Sequence, residues 1–280
     1  MACADYWFDS PDGLRLFSRI YPGPTAVAPV VLCLHGLMRN SRDFDRLAQH
    51  LSAHCRIIMP DMRGRGLSAF DPQSDNYQIP VYVQDCLAML AGLGAARVTV
   101  IGTSMGGLIG MVLAVLHPAL IARVVLNDVG PEVDPRGLER IRGYAGKAAR
   151  VHSWPEAIAQ VRGVYGAAWP GLSEARWEEI AHLTYRANAQ GVPEEDADPR
   201  IAEPLREAPL TPDLWPMWRA LRVPVLALRG AHSDILSAAT LARMQHEKPD
   251  LKVVEVANRG HVPLLDEPEC LAAIDEFLAP

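Results

Sequence analysis

The sequence predicts an α/β protein, a mainly parallel, doubly wound sheet carrying an inserted helical segment. Three observations lead there. Short apolar, β-branched runs alternate with segments of helical period at both ends of the 280-residue chain. The runs are continuous rather than alternating, as strands covered by helices on both faces must be. Between 131 and 217 the alternation stops, and helical text broken by glycine and proline takes over. Parallel neighbours need a crossover, usually a helix, so strand and helix in turn imply a doubly wound sheet.

The elements follow in order. "YWFD" and "LRLFSRIY" form a hairpin around "SPDG", with Asp12-Gly13 supplying the turn. "VVLCLHG" is the first buried strand, followed by "RIIMPD", "RVTVIG", "ARVVLND", "PVLALRG" and "LKVVEV". Helices are expected around 43–53, 80–93, 105–117, 237–247 and 268–278. Residues 1–130 and 218–280 then make the core domain, and 131–217 a helical cap over the carboxyl ends of the strands, where open α/β sheets place ligands. Trp154, Trp169, Trp177, Trp215 and Trp218 fall in or at the end of the cap, and its acidic, proline-containing part, 192–213, reads as a loop.

Composition narrows the function. A hydrophobic content of 49% supports a large core, and a net charge of -6 without a basic stripe excludes nucleic acid and anionic membrane as partners. The first residues lack a basic segment followed by an apolar one, and Met105–Leu116 is too short to span a bilayer, so a cytoplasmic protein is expected. Cys3, Cys33, Cys55, Cys86 and Cys270 form no C-x-x-C pair and read as reduced thiols; no His/Cys spacing suggests a metal. "PDMRGRGLS" is not followed by a phosphate-loop lysine and reads as a turn stapled by Asp61 and an arginine, so no cofactor is expected.

The chemistry gathers at "VTVIGTSMGGLIG". Gly102-Thr103-Ser104-Met105-Gly106 is G-x-S-x-G between a buried strand and a helix, the context of a nucleophile elbow. A serine hydroxyl needs a base oriented by a carboxylate. His261 follows the last strand, and Asp234, in "LRGAHSDIL", follows the one before; Asp128, ending "VVLND", is the alternative acid. Oxyanion donors are expected from the backbone N–H groups of Met105 and Leu37, with His35 and Gly36 shaping the loop that carries Leu37. Met38, Arg39, Trp154 and Trp169 are candidate substrate contacts; Asp75, Asp85 and Asp266 read as surface or helix-cap residues.

On these residues the chain resembles the α/β-hydrolase superfamily, particularly its capped bacterial serine esterases and carbon-carbon bond hydrolases. The likeness spans nearly the whole chain: "HG" after an early strand, "DMRGRGLS" after the next, "GTSMGG" at the elbow, an acid after the penultimate strand and "GH" before the final helix. It implies a Ser104, His261 and Asp234 triad and an acyl-enzyme intermediate. Dehalogenases and epoxide hydrolases of the superfamily carry aspartate where this chain has Ser104. Carbon-carbon hydrolases usually show asparagine before the serine and cations for a substrate carboxylate, where this chain has Thr103 and Arg39. The expectation is a carboxylesterase acting on small to medium esters. A lactonase, a carbon-carbon hydrolase or a thioesterase would use the same triad, and a ligand-binding receptor on the same fold is the alternative from another class. The partner is then a small-molecule ester or lactone, and the apolar cap surface leaves a homodimer open.

Overall fold

The computed structural model describes residues 3–147, 150–204 and 213–279. Its sheet runs in the order β1 (Ala4–Asp9), β2 (Arg15–Tyr21), β4 (Arg56–Asp61), β3 (Val30–Leu34), β5 (Val98–Thr103), β6 (Ile121–Asn127), β9 (Val225–Gly230) and β10 (Lys252–Val256). β2 is antiparallel to both β1 and β4, and every pairing from β4 to β10 is parallel. The chain passes outward from β3 to β4 and then returns to the far side of β3 as β5. That reversal opens a crevice at the carboxyl ends of β3 and β5, the place where such sheets bind ligands.

Each strand divides its side chains between two apolar layers. Val31 and Cys33 of β3, Ile57 and Met59 of β4 and Ile101 of β5 pack on one face, against α1 (Asp45–Leu51) and the C-terminal helix Pro268–Leu278. Leu32, Leu34, Ile58, Val98 and Val100 face the other way, toward α2 (Ile79–Gly92), α3 (Met105–Leu116) and the helices Trp215–Ala220 and Ala238–Glu247. Both faces being dry explains the continuous apolar runs. Among the described residues no helix is long and apolar enough to cross a membrane.

The segment between β6 and β9 builds α4 (Pro135–Tyr144), α5 (Trp154–Tyr165) and α6 (Glu174–Thr184). Their starts are written locally: Asp134, Ser153 and Ser173 each accept a hydrogen bond from a backbone N–H of the first turn. Val161, Trp169, Trp177 and Ile180 form a small core of their own. The sequence did not announce the hairpin β7 (Tyr185–Ala187) and β8 (Pro193–Glu195), because strands of three residues are too short to show a period. The expected 192–213 loop therefore holds β8 and a 3-10 turn, Pro199–Ala202, while 205–212 lie outside the described residues.

Asp61 staples the early turn, accepting from the backbone N–H groups of Ser41 at 2.7 Å and Leu67 at 2.8 Å, and Arg65 donates within it to the Arg63 carbonyl at 2.8 Å. One reading nearby needs correction. Asp85 is no surface residue: it is buried and takes the buried Arg63 guanidinium in two hydrogen bonds of 2.8 and 2.6 Å, with Asp12 and Asp71 completing the cluster.

The tightest packing lies where α3 leaves β5. A Cβ on Gly106 would sit 2.0 Å from the carbonyl oxygen of Leu34, and one on Gly102 2.4 Å from Gly106 backbone. Glycine at both sites is a steric requirement. Gly163, in α5, faces open space. G106A is therefore expected to lower the thermal midpoint sharply or abolish folding, whereas G163A should raise stability by about 0.5–1 kcal/mol through helix propensity; thermal and urea unfolding of the two variants checks both signs.

Candidate active site

Ser104 stands at the turn from β5 to α3 with φ +52°, a conformation that side chains other than glycine rarely take, and its N–H donates to Asn127 at 3.0 Å. Its Oγ lies 2.9 Å from Nε2 of His261. The histidine reaches it from the loop after β10, where Trp169 Nε1 donates to the Val262 carbonyl at 2.6 Å and Asn127 Nδ2 donates to that of Pro263 at 2.9 Å. The loops after β9 and β10 touch through backbone: a Cβ on Gly230 would meet the Gly260 oxygen at 2.3 Å.

The acid beside His261 is Asp128. Nδ1 of the histidine lies 2.7 Å from Asp128 Oδ2, which also accepts from Ser233 Oγ at 2.6 Å, while Oδ1 accepts from the Gly230 N–H at 2.9 Å. Asp128 is wholly buried and directly follows β6, the strand next to the serine's own. The expectation of Asp234 at this place is thus corrected. Asp234 is drawn away by Arg140 of α4, whose Nε and Nη2 donate to its two oxygens at 2.5 and 2.8 Å. Burial opposes ionisation of Asp234, but the Arg140 guanidinium outweighs it and holds the carboxyl below its ordinary value. Both acids follow adjacent parallel strands; Asp128, at φ +57°, turns inward, where Ser233 and the Gly230 N–H hold it.

Leu37 lines the same pocket as Ser104, and Met105 follows the serine in the chain. Among the described residues neither backbone N–H is taken by a protein acceptor. The loop bearing Leu37 is tied down from below. Arg65, buried, donates through Nε to the Leu37 carbonyl at 2.8 Å and places Nη2 3.6 Å from Met105 Sδ, its guanidinium lying 4.9 Å from the Tyr82 ring centre. His35 accepts the Met62 N–H on Nε2 at 3.0 Å, so its proton is on Nδ1, donated to the Gly36 carbonyl at 2.8 Å. Burial, aided by the Arg65 charge, pushes its pKa down to about 3.

Over Ser104 lies a pocket with about 820 Å³ of free space, part of it open to solvent. Met38, Ile141, Tyr144, Trp169, Ile180 and Leu264 make most of it apolar. Met38, Arg39 and Trp169 take their expected places in its wall. Trp154 does not: it is half-buried within the inserted segment, its ring stacked 3.7 Å from that of His182, because α5 turns its first residue toward α6 and not toward the cavity. Arg39 is half-buried and already compensated, its Nε and Nη2 donating to Asp43 at 2.8 and 2.6 Å and its Nη1 to the Thr184 hydroxyl. Sequence reasoning missed Tyr144 and Tyr165, which lie in the cavity wall and resemble any packing aromatic on an amphipathic helix. It also missed Ser233 and Arg65, whose roles depend on contacts across the fold. Among the described residues, no group of three or more His, Cys, Asp or Glu side chains is arranged to hold a metal ion.

Comparison with known proteins follows this geometry. Residues 29–268 match the family model described as alpha/beta hydrolase fold. A 3-hydroxybutyrate-oligomer hydrolase of Cupriavidus necator is 35% identical, the match covering 96% of this chain and 94% of that protein. A 2-(acetamidomethylene)succinate hydrolase of Mesorhizobium japonicum is 28% identical over 89% of this chain and 88% of its own length. A crystal structure of an alpha/beta hydrolase from Novosphingobium aromaticivorans superposes with a TM-score of 0.93 at 44% identity, covering 99% of each chain.

The neutral, buried His35 makes a prediction about acid stability. Because its folded value lies below the ordinary 6.5, the unfolded chain binds the extra proton. The histidine's contribution is complete above about pH 6.5 and is lost as pH falls toward 3, at a slope approaching ~1.4 kcal/mol per pH unit. Urea unfolding between about pH 4 and 7 should show this slope in the wild type and a flatter one in H35N, which cannot titrate there.

Proposed function

The chain belongs to the alpha/beta hydrolase fold family, and from that membership and its site geometry we propose that it is a serine hydrolase cleaving small to medium carboxylic esters through an acyl-enzyme. The observation that carries this reading is the continuous relay from Ser104 Oγ to His261 Nε2 at 2.9 Å and from Nδ1 to Asp128 at 2.7 Å, opening beneath an apolar cavity. Asp128 fixes the histidine tautomer and stabilises the imidazolium; His261 takes the serine proton as Oγ attacks the ester carbonyl. The Leu37 and Met105 amides receive the negative oxygen of the tetrahedral intermediate. His261 then protonates the departing alcohol and, in the second half, deprotonates the water that releases the acid. Residues 131–217 act as a cap that excludes bulk water, and the Arg140–Asp234 ion pair joins the cap to the core.

Two observations favour esters within the hydrolase class. The Cupriavidus relative, 35% identical, is named for hydrolysing oligomers of a hydroxy acid, which are joined through ester bonds. Both arginines of the cavity wall already face carboxylates, Arg39 with Asp43 and Arg176 with Asp266 at 2.7 Å, which disfavours a carboxylate-anchored carbon-carbon cleavage. A lactone would use the same relay without a departing group.

S104A is expected to lower turnover of p-nitrophenyl esters by several orders of magnitude and to abolish fluorophosphonate labelling, with the fold retained. A matched panel of lactones should react more slowly than the esters; faster lactone hydrolysis overturns the ester assignment. D128N should cost about 10³–10⁴ in kcat, whereas D234N should stay within about tenfold of wild type, as a lost surface-accessible ion pair would. Equal losses in the two variants would remove Asp128 from its role.

A further inference from the structure

Behind the cavity over Ser104 lies a second, smaller crevice, with about 380 Å³ of free space, much of it open to solvent, against 820 Å³. The two share Met38, Tyr144 and Tyr165 as a common wall, and the two tyrosine rings meet edge to face with centroids 6.0 Å apart. On its far side stand Tyr185 and Glu195, directly opposite each other in the β7–β8 hairpin, with Gln160 beside them and the exposed Lys147 at the edge.

Glu195 is half-buried, yet among the described residues its carboxyl has no hydrogen-bond or ion-pair partner. Burial raises its pKa, and the Arg39 charge works against that rise. Its carboxyl oxygens still reach water, and a donor that enters the crevice takes the place of that water as their hydrogen-bond partner. The surroundings restrict what that donor is. A ligand carboxylate would face Glu195 itself. An ammonium group would meet the positive field of Arg39 and the Lys147 amine. A hydrocarbon end would leave Glu195 unpaired. A neutral hydroxyl donates to Glu195 and accepts from Gln160 or a tyrosine.

We propose that this crevice is a subsite for a neutral hydroxyl at the far end of the acyl chain, with Glu195 as its hydrogen-bond acceptor, making the preferred substrates esters of hydroxy acids. The proposal rests on the ester-hydrolase reading of the Ser104 site. Tyr144 and Tyr165, which line both spaces, then stand between the reacting carbonyl and the subsite.

The test compares kcat/KM for three ethyl-ester series over a range of acyl lengths: hydroxyl-ended, methyl-ended and carboxylate-ended. Comparing two substrates within one variant cancels any loss of folded enzyme. The wild type should prefer the hydroxyl-ended over the methyl-ended ester by about tenfold or more at the best length, the size expected for a hydrogen bond to a charged or partly charged acceptor. That ratio should fall to near one in E195L and to an intermediate value in E195Q, which keeps one acceptor oxygen. A wild-type ratio near one at every length, a ratio unchanged in E195L, or a preference for the carboxylate-ended series overturns the subsite while leaving the ester reading standing. Absence of turnover on every ester removes that reading and the subsite with it.

Discussion

Everything at this site depends on how closely the turn after β5 approaches the backbone beside it. Only hydrogen atoms fit between Gly106 and the Leu34 carbonyl, where a Cβ would come within 2.0 Å. That contact brings the start of α3 against the end of β3, so Ser104 and the Leu37 loop stand together at the carboxyl end of the sheet. With the two strand ends held together, the strained Ser104 turn and the Leu37 loop stand side by side. A methyl group at that contact would push the elbow away from the loop.

The layer beneath the site keeps this arrangement rigid with charges that never reach the substrate. Arg65 grips the Leu37 carbonyl and touches Met105, while Arg63, two residues earlier, is buried among Asp12, Asp71 and Asp85. A buried cation is tolerated because its carboxylates accompany it, and removal of one partner would leave an unpaired charge in the core. His35 contributes differently: as a neutral ring it donates on one nitrogen and accepts on the other, joining the Leu37 loop to the turn after β4. The cavity wall follows the same pattern, since Arg39 and Asp43 compensate each other and leave a mostly apolar chamber.

Much of this was legible in the residue string because it is governed by local chemistry. The strands from "VVLCLHG" to "LKVVEV" read correctly since two dry faces demand unbroken apolar runs, and the helices after them carry their period. The turn at Ser104 is announced by its glycines, whose requirement is steric and leaves no choice of residue. Trp154 misled because an aromatic at the first turn of a helix packs equally well inward or sideways, and the neighbour that captured it, His182, lies on another helix. Asp85 misled because its partner, Arg63, is brought beside it only by the packing of α2 on the sheet.

The chain alone determined the parallel sheet, the elbow, the histidine after the last strand and the loop that offers Leu37, because each follows from a short run of residues and from steric and hydrogen-bonding rules that act within a few residues. The tertiary structure decided which carboxylate serves that histidine. Asp128 and Asp234 each follow a strand at the carboxyl end of the sheet, and the choice came from groups distant in sequence: Ser233 and Gly230 bind the first, and Arg140 of the inserted segment claims the second. Cavity shape was likewise decided in three dimensions, since its walls come from helices whose facing side chains are set by packing against one another.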